Sequence, residues 1–532
     1  MSQQASSTAE KAFGPIRSCL WPIHRHEIRK LLPMCLIVFL ICVNYSILRN
    51  LKDTVVVTAS GAEVIPFIKV WVMFPTAILL TILFTKLSNW FSQEKVFYIM
   101  VGGFLSSFVL FAFVLYPARE FLHPNELADK LELLLPTGFK GLISMFRNWT
   151  FTIFYVMSEL WASIILNVIF WGFANEVTRL DEAKRFYGVF GIGANMAAIV
   201  AGQLAIFLLE AQFSTEWLFG VRESWEEVQL MLVSLITING LLTMGIFRWM
   251  NKRVLNDPSF DQFHLNKKAI KAKGKLSFRE SFSYLSNSKY LMCIAVIVVA
   301  YNLVINLVEV VWKDQLRMLY PNPADFNTYM NNLTTAMGII STVTSIFMAL
   351  IISRLGWTRT ALITPVIMLI TCVGFFMFIF FSEHLADVVV ALTGTTPLAI
   401  AVFFGGAQNC LSKAAKYSVF DATKEMAYIP LSHECKLKGK AAIDGVGSRF
   451  GKSGGSLIHQ GLLVIFSTLT ASAPFVAGIL MVAIFFWIGA AKSLGVQFAA
   501  LVAEKDPGNA LAETPVETAS SSSSEREPGY QT

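Results

Sequence analysis

Along the chain, long apolar runs are separated by short polar segments. The runs fall at about residues 31–51, 64–86, 96–116, 149–172, 187–209, 228–247, 290–311, 330–353, 360–381, 388–409, 441–467 and 473–491. Most reach the ~20 residues that a helix needs to cross the hydrocarbon core of a bilayer. Only helices and closed barrels satisfy their own backbone in lipid. These runs are too long and too continuous for barrel strands, which alternate residue by residue. The pattern predicts an all-α polytopic membrane protein of about twelve transmembrane helices. The eleventh run is the least regular, because Asp444, Arg449, Lys452 and several glycines interrupt it.

Charge between the runs orients them. Lys and Arg favour the cytoplasmic side of a membrane. With the N-terminus inside, the inward segments hold Lys86 and Lys95, then Arg179, Lys184 and Arg185, then Arg354 and Arg359, then Lys413, Lys416, Lys424, Lys436, Lys438 and Lys440. The outward segments are poorer in positive charge: 210–227 is acidic, and 382–388 and 468–472 carry no Lys or Arg. The rule is met by an even number of helices with both termini cytoplasmic. The basic segment 248–289 divides the chain into two six-helix halves, 31–247 and 290–492, which is the layout of a major-facilitator-like transporter. Residues 1–30 read as a cytoplasmic N-terminal segment. Residues 493–532 read as a disordered cytoplasmic tail, rich from about Lys505 in Ser, Glu, Pro and Gly.

Composition agrees with this picture and narrows it. The chain is 55% hydrophobic and 15% charged, with a mean hydropathy of +0.57. Soluble domains carry about 25% charged residues. The 7 cysteines form no C-x-x-C pair, and several lie inside apolar runs, which argues against a zinc site or a disulfide framework. The basic, polar first 30 residues lead into a full-length run rather than a cleavable signal, and a bacterial inner membrane is the expected location. Neither a cofactor nor nucleic acid is expected; the partners are membrane lipid and a transported solute.

Chemistry is sought where charge is expensive. An ionisable side chain at the centre of a membrane helix costs roughly 2.5–3.5 kcal/mol. Four such positions stand out: Lys52 at the end of the first run, Glu159 in the fourth, Glu309 in the seventh and Lys452 in the eleventh. Two lysines and two glutamates can neutralise one another in an empty site, and an anionic ligand can then compete for the lysines. Static ion pairs between helices are the alternative, and Lys52 could simply snorkel to the interface. Arg49 lies three residues before Lys52, on the same helix face. Together they suit a polyphosphate, the guanidinium by bidentate contact and the ammonium as a point charge.

Two glycine-rich stretches are weaker signals. Gly445 to Gly455 resembles a phosphate-binding loop, but Val446 stands where the motif needs glycine and no strand precedes it. What remains is a helix carrying Arg449 and Lys452 among small residues. Gly191-Ile192-Gly193 lacks the third glycine of a dinucleotide fingerprint and is expected to serve close helix packing.

Longer motifs carry a family resemblance. Asn44 to Asp53, Ser158 to Trp161 with Phe170 to Asn175, Asn306 to Lys313, Lys424 to Leu431, and Lys438 to Gly455 resemble the ATP/ADP translocases of obligate intracellular bacteria and plastids, chlamydial members most of all. The resemblance runs from about Trp21 to about Lys492 and implies exchange of host ATP for internal ADP, with phosphate able to accompany ADP. It matches the family's charged quartet to Lys52, Glu159, Glu309 and Lys452. It departs at Asn50, where the family pattern has Asp; the lost carboxylate is expected to leave the site more positive and to bear on substrate range.

The sequence reading is therefore an ATP/ADP antiporter working by alternating access as a monomer. Lys52 and Lys452 are the expected phosphate ligands, with Arg49, Arg185 and Arg449 as further candidates. Glu159 and Glu309 hold the lysines in the empty carrier or bind polar groups of the nucleotide. Asn306, Tyr301 and Trp161 are candidates for base or ribose, on mid-span position alone. The alternative is a broader-range or proton-coupled nucleotide importer. A membrane ATPase is disfavoured by the failed phosphate-loop motif.

Overall fold

A computed structural model describes residues 23–24, 27–178, 180–211, 224–255, 288–431, 439–440, 443 and 447–505. The middle of the acidic segment 210–227, nearly all of the basic segment 248–289, Lys436, Lys438 and the tail after Lys505 lie outside the described residues. The long helices are α1 (Ile28–Ser60), α2 (Val64–Trp90), α3 (Gln93–Leu115), α4 (Trp149–Val177), α5 (Leu180–Glu210), α6 (Ser224–Arg253), α7 (Lys289–Leu319), α8 (Pro323–Phe380), α9 (Ser382–Thr393), α10 (Pro397–Tyr428), α11 (Ser448–Phe466) and α12 (Leu469–Lys505). No strand is present among the described residues.

Nine helical stretches among the described residues are long and apolar enough to cross a bilayer, or ten if the bent pair α9–α10 is one crossing. The sequence suggested twelve. Helix α11 is not among the nine, because Arg449, Lys452, Ser453 and Gln460 lower its hydropathy. Helix α8 joins two of the expected spans in 58 residues, broken at Gly356, whose φ of 73° suits a residue without a Cβ. Helix α1 continues to Ser60 and α12 to Lys505, both past the ends read from hydropathy. Side chains such as Leu79, Phe485 and Phe486 face outward, as the lipid-facing surface of such a bundle requires.

Packing repeats between the two sets of six helices. Helix α1 packs on α4, α5 and α6; α7 packs on α10, α11 and α12. The contacts between the sets follow the same scheme, α5 against α8 and α2 against α11. Gly202 and Gly338 make the α5–α8 approach possible: a Cβ on Gly202 would lie 2.7 Å from the Asn331 carbonyl oxygen, and one on Gly338 2.9 Å from that of Asn195. Gly191 and Gly193, where the sequence suggested close packing, have nothing within 4 Å of a built Cβ. The helix face that meets α8 is one to three turns further along α5.

Candidate functional site

Two helices carry a π-helical turn that contributes to one cavity wall: Ile68–Met73 in α2 and Lys416–Phe420 in α10. Such turns rotate the side chains that follow and are frequent at functional sites. Both border a cavity of about 160 Å³. Seven cationic side chains line it: Arg49, Lys52, Lys69, Lys313, Lys413, Lys416 and Lys452. Three carboxylates line it with them, Asp53, Glu159 and Glu309, so the described lining holds four more cationic than anionic side chains.

Most of these charges form one chain of ion pairs. Glu159 contacts Lys52 at 3.3 Å, and Lys52 contacts Asp53 at 2.8 Å. Asp53 reaches Lys313 at 2.8 Å through its other oxygen. Lys313 and Lys413 each contact Glu309 at 3.3 Å. The Lys52 ammonium also lies 4.0 Å from the centre of the Tyr155 ring, a cation–π contact. Lys52 therefore does not snorkel to the interface; it is buried two turns before the end of α1. All three carboxylates are engaged by lysines. By contrast, neither Lys69 nor Lys452 has a carboxylate oxygen within 4 Å among the described residues. Lys69 donates to the Asn306 side-chain oxygen at 2.9 Å, and the Lys452 side chain is open to the cavity.

Of the residues singled out from the sequence, Lys52, Glu159, Glu309, Lys452, Arg49, Asn306 and Tyr301 line this cavity together. Trp161 does not. Its indole donates to the Ile41 carbonyl, and its ring packs on Phe104 and Phe108. Arg185 is also elsewhere, paired with Glu27 where α5 meets the start of α1. Arg449 opens α11, but its side chain lies outside the described residues. The Tyr301 ring is stacked on Phe420 and meets Trp487 edge-on.

The sequence reading overlooked Asp53, Lys69, Tyr155, Lys313, Lys413 and Lys416 as site residues. Lys69 was visible as a lone charge in an apolar run. Lys413 and Lys416 were assigned to an inward loop, whereas α10 continues past them by its π-helical turn. The four-residue quartet also gave a neutral site, whereas cations outnumber carboxylates among the described lining residues. The glycines of the failed phosphate-loop motif have a packing role: a Cβ on Gly451 would lie 2.8 Å from the Val299 carbonyl oxygen, and one on Gly455 3.2 Å from Asn306. They let α11 approach α7 and bring Lys452, Ser453 and Ser456 to the cavity wall.

A polar seam of inter-helix hydrogen bonds lies beside the cavity. Asn50 donates to the Asn331 side-chain oxygen at 2.7 Å and to Thr334 at 3.0 Å. Asn327 donates to the Thr54 hydroxyl at 2.9 Å, and Arg49 donates to Thr334 at 2.9 Å. Gln460 on α11 donates to the Pro66 carbonyl at 2.9 Å. These bonds join the halves near the ends of α1 and α11 and the starts of α2 and α8. Asn50 is buried in this seam and does not line the cavity. The position at which the sequence departs from the family pattern thus lies in a contact between α1 and α8 and not on the cavity wall.

The model of a family described as TLC ATP/ADP transporter matches residues 6–498. The chain belongs to this family. It is 46% identical to ADP,ATP carrier protein 1 of Chlamydia trachomatis over 99% of both chains. It is 40% identical to ADP,ATP carrier protein 1 of Rickettsia bellii, over 94% of this chain and 99% of that one. The plastidic ATP/ADP-transporter of Solanum tuberosum is 42% identical over 90% of this chain and 74% of its own length. Among solved structures, a D-xylose–proton symporter matches with a TM-score of 0.50 at 13% identity, covering 86% of this chain and 97% of that one. A bacterial homologue of the iron transporter ferroportin also gives 0.50 at 13% identity, over 89% and 100%. At that identity the likeness concerns the fold alone, and it is major-facilitator-like. The transporter is thus a multi-pass helical membrane protein, and not an enzyme.

Proposed function

We propose that this transporter exchanges ATP for ADP by alternating access, with phosphate accompanying ADP. The observation that carries the proposal is the cation-rich lining of one cavity, in which Lys69 and Lys452 have no carboxylate oxygen within 4 Å among the described residues. Magnesium-free ATP carries about four negative charges near neutral pH, and ADP about three. Monovalent phosphate with ADP restores the balance. Lys52, Lys69, Lys313, Lys413, Lys416, Lys452 and Arg49, all in the cavity lining, are the proposed phosphate ligands. Asn302 and Asn306 add polar side chains to the same lining, Asn306 accepting from Lys69 at 2.9 Å. The names of the relatives, ADP,ATP carrier and ATP/ADP-transporter, point to the same solutes.

Proton-coupled import is disfavoured by the ion pairs. Glu159, Glu309 and Asp53 each contact a lysine, so among the described lining residues no carboxylate stands without a cationic partner. With both termini in the cytoplasm of a bacterial cell, which the distribution of Lys and Arg supports, the seam lies on the outer side and the carrier is inward-facing. The chain is proposed to work as a single unit, as both halves of the cavity come from one chain. The test is uptake of labelled ATP into proteoliposomes with and without internal ADP, and with an uncoupler. Dependence on internal ADP and indifference to the uncoupler are expected. Uptake into empty vesicles that collapses with the uncoupler would overturn the proposal in favour of proton coupling.

A further inference from the structure

We propose that Asp53 and Lys313 are positioning residues that make the exchange obligatory: their ion pair holds the halves together until a bound anion releases it. The inference rests on the exchange reading above. Two short ion-pair chains meet at this contact. Glu159 and Lys52 lead to Asp53 in one half, and Lys413 and Glu309 lead to Lys313 in the other. The 2.8 Å contact between Asp53 and Lys313 joins them across the divide. Both side chains are buried, at 2% side-chain exposure each.

The contact is continuous with the seam. Asn50, Asp53 and Thr54 fall at positions i, i+3 and i+4 of α1 and so share a face. Asn50 and Thr54 bond to α8 and Asp53 to α7. The same Asp53 faces the cavity through Lys52, which it contacts with its second oxygen. One carboxylate therefore belongs to both the solute cavity and the closed side.

Its two partners are what a polyphosphate competes for. A phosphate near Lys52 and Lys313 draws the ammonium groups away and repels Asp53. A buried carboxylate stripped of its cations is strongly destabilised and must reach water or a new partner. Opening of the seam supplies both. In the empty carrier nothing displaces the lysines, the latch stays closed, and the halves do not exchange sides. A ligand shifts a conformational balance only by its differential affinity for the two states, and this competition is the source of that difference.

The test is the ratio of labelled ATP uptake into ADP-loaded vesicles to uptake into empty ones. Wild type is expected to show a high ratio. Asp53→Asn and Lys313→Gln should each lower it by about tenfold or more, as expected for truncating a buried charge pair. Lys313→Arg, which keeps the cation facing Asp53 and Glu309, should retain much of it, which the loss of charge in Lys313→Gln does not allow. Single neutral variants that keep the wild-type ratio, or Lys313→Arg no better than Lys313→Gln, would overturn the latch. A second measurement avoids the charged pair altogether. Cysteines at Thr54 and Asn327 should cross-link the seam, abolish exchange, and release it on reduction; ADP should slow the cross-linking by at least about threefold. A cross-linking rate indifferent to ADP would overturn the proposal. Failure of the exchange reading itself would appear separately, as wild-type protein that takes up no ATP against ADP.

Discussion

Lys69 of α2 donates a hydrogen bond to the side-chain oxygen of Asn306 on α7 at 2.9 Å, joining a cation of one half to an amide of the other. No carboxylate among the described residues lies within 4 Å of that lysine. A lysine in an apolar helix with only a neutral partner is poised for an anion. Lys69→Gln is expected to raise the KM for ATP about tenfold or more, the equivalent of one charge-assisted hydrogen bond. Saturation kinetics in proteoliposomes measure this; an unchanged KM would remove Lys69 from the phosphate site.

The charge surplus predicts how voltage acts. Exchange of ATP for ADP alone moves one net charge per cycle, which a membrane potential biases by about 2.3 kcal/mol per 100 mV. With monovalent phosphate accompanying ADP the cycle is neutral. Exchange under a clamped potassium potential should therefore depend on voltage without phosphate and lose that dependence when phosphate is supplied with ADP. Saturating magnesium should slow uptake, since the complex carries about two fewer negative charges than the cavity offsets. No cluster of metal-binding side chains is present among the described residues to take the cation.

Asn50→Asp restores the residue that the family pattern carries. Because Asn50 contacts Asn331 and Thr334 rather than the cavity, the inhibition profile of a panel of nucleotides should not change. The substitution removes the amide donor from the seam, and the turnover rate should change instead. A shifted base preference would show that Asn50 acts on the solute.

Gly202→Val and Gly191→Val separate two surfaces of α5. At Gly202 a side chain meets the α8 backbone, so closure of the halves and exchange should fall sharply. At Gly191 a built Cβ meets nothing within 4 Å, and near-normal exchange is expected. Equal effects on transport at equal membrane expression would contradict the α5–α8 contact.

Much of this was legible in the sequence for a simple reason: apolar runs must become helices in lipid, and a charge inside one must find water or a partner. That logic reached Lys52, Glu159, Glu309 and Lys452 directly. It missed Lys313 because the apolar run was ended at 311, before a helix that continues to Leu319. It placed Lys413 and Lys416 in a loop because hydropathy falls where α10 turns its lysines toward an aqueous cavity. Mid-span position alone could not separate Tyr301, which lines the cavity, from Trp161, which is locked between Phe104, Phe108 and the Ile41 carbonyl. Spacing along one helix also cannot show that Asp53 pairs with a lysine 260 residues away.

The central claim is one-for-one exchange through the cation-rich cavity. It is tested most directly by doubly labelled proteoliposomes, with ATP outside and ADP inside, comparing wild type with Lys452→Ala after equal insertion is verified. The account predicts about one ADP released with each ATP taken up by wild type, and no exchange by the variant. ATP uptake without ADP release, or wild-type exchange by Lys452→Ala, would contradict it.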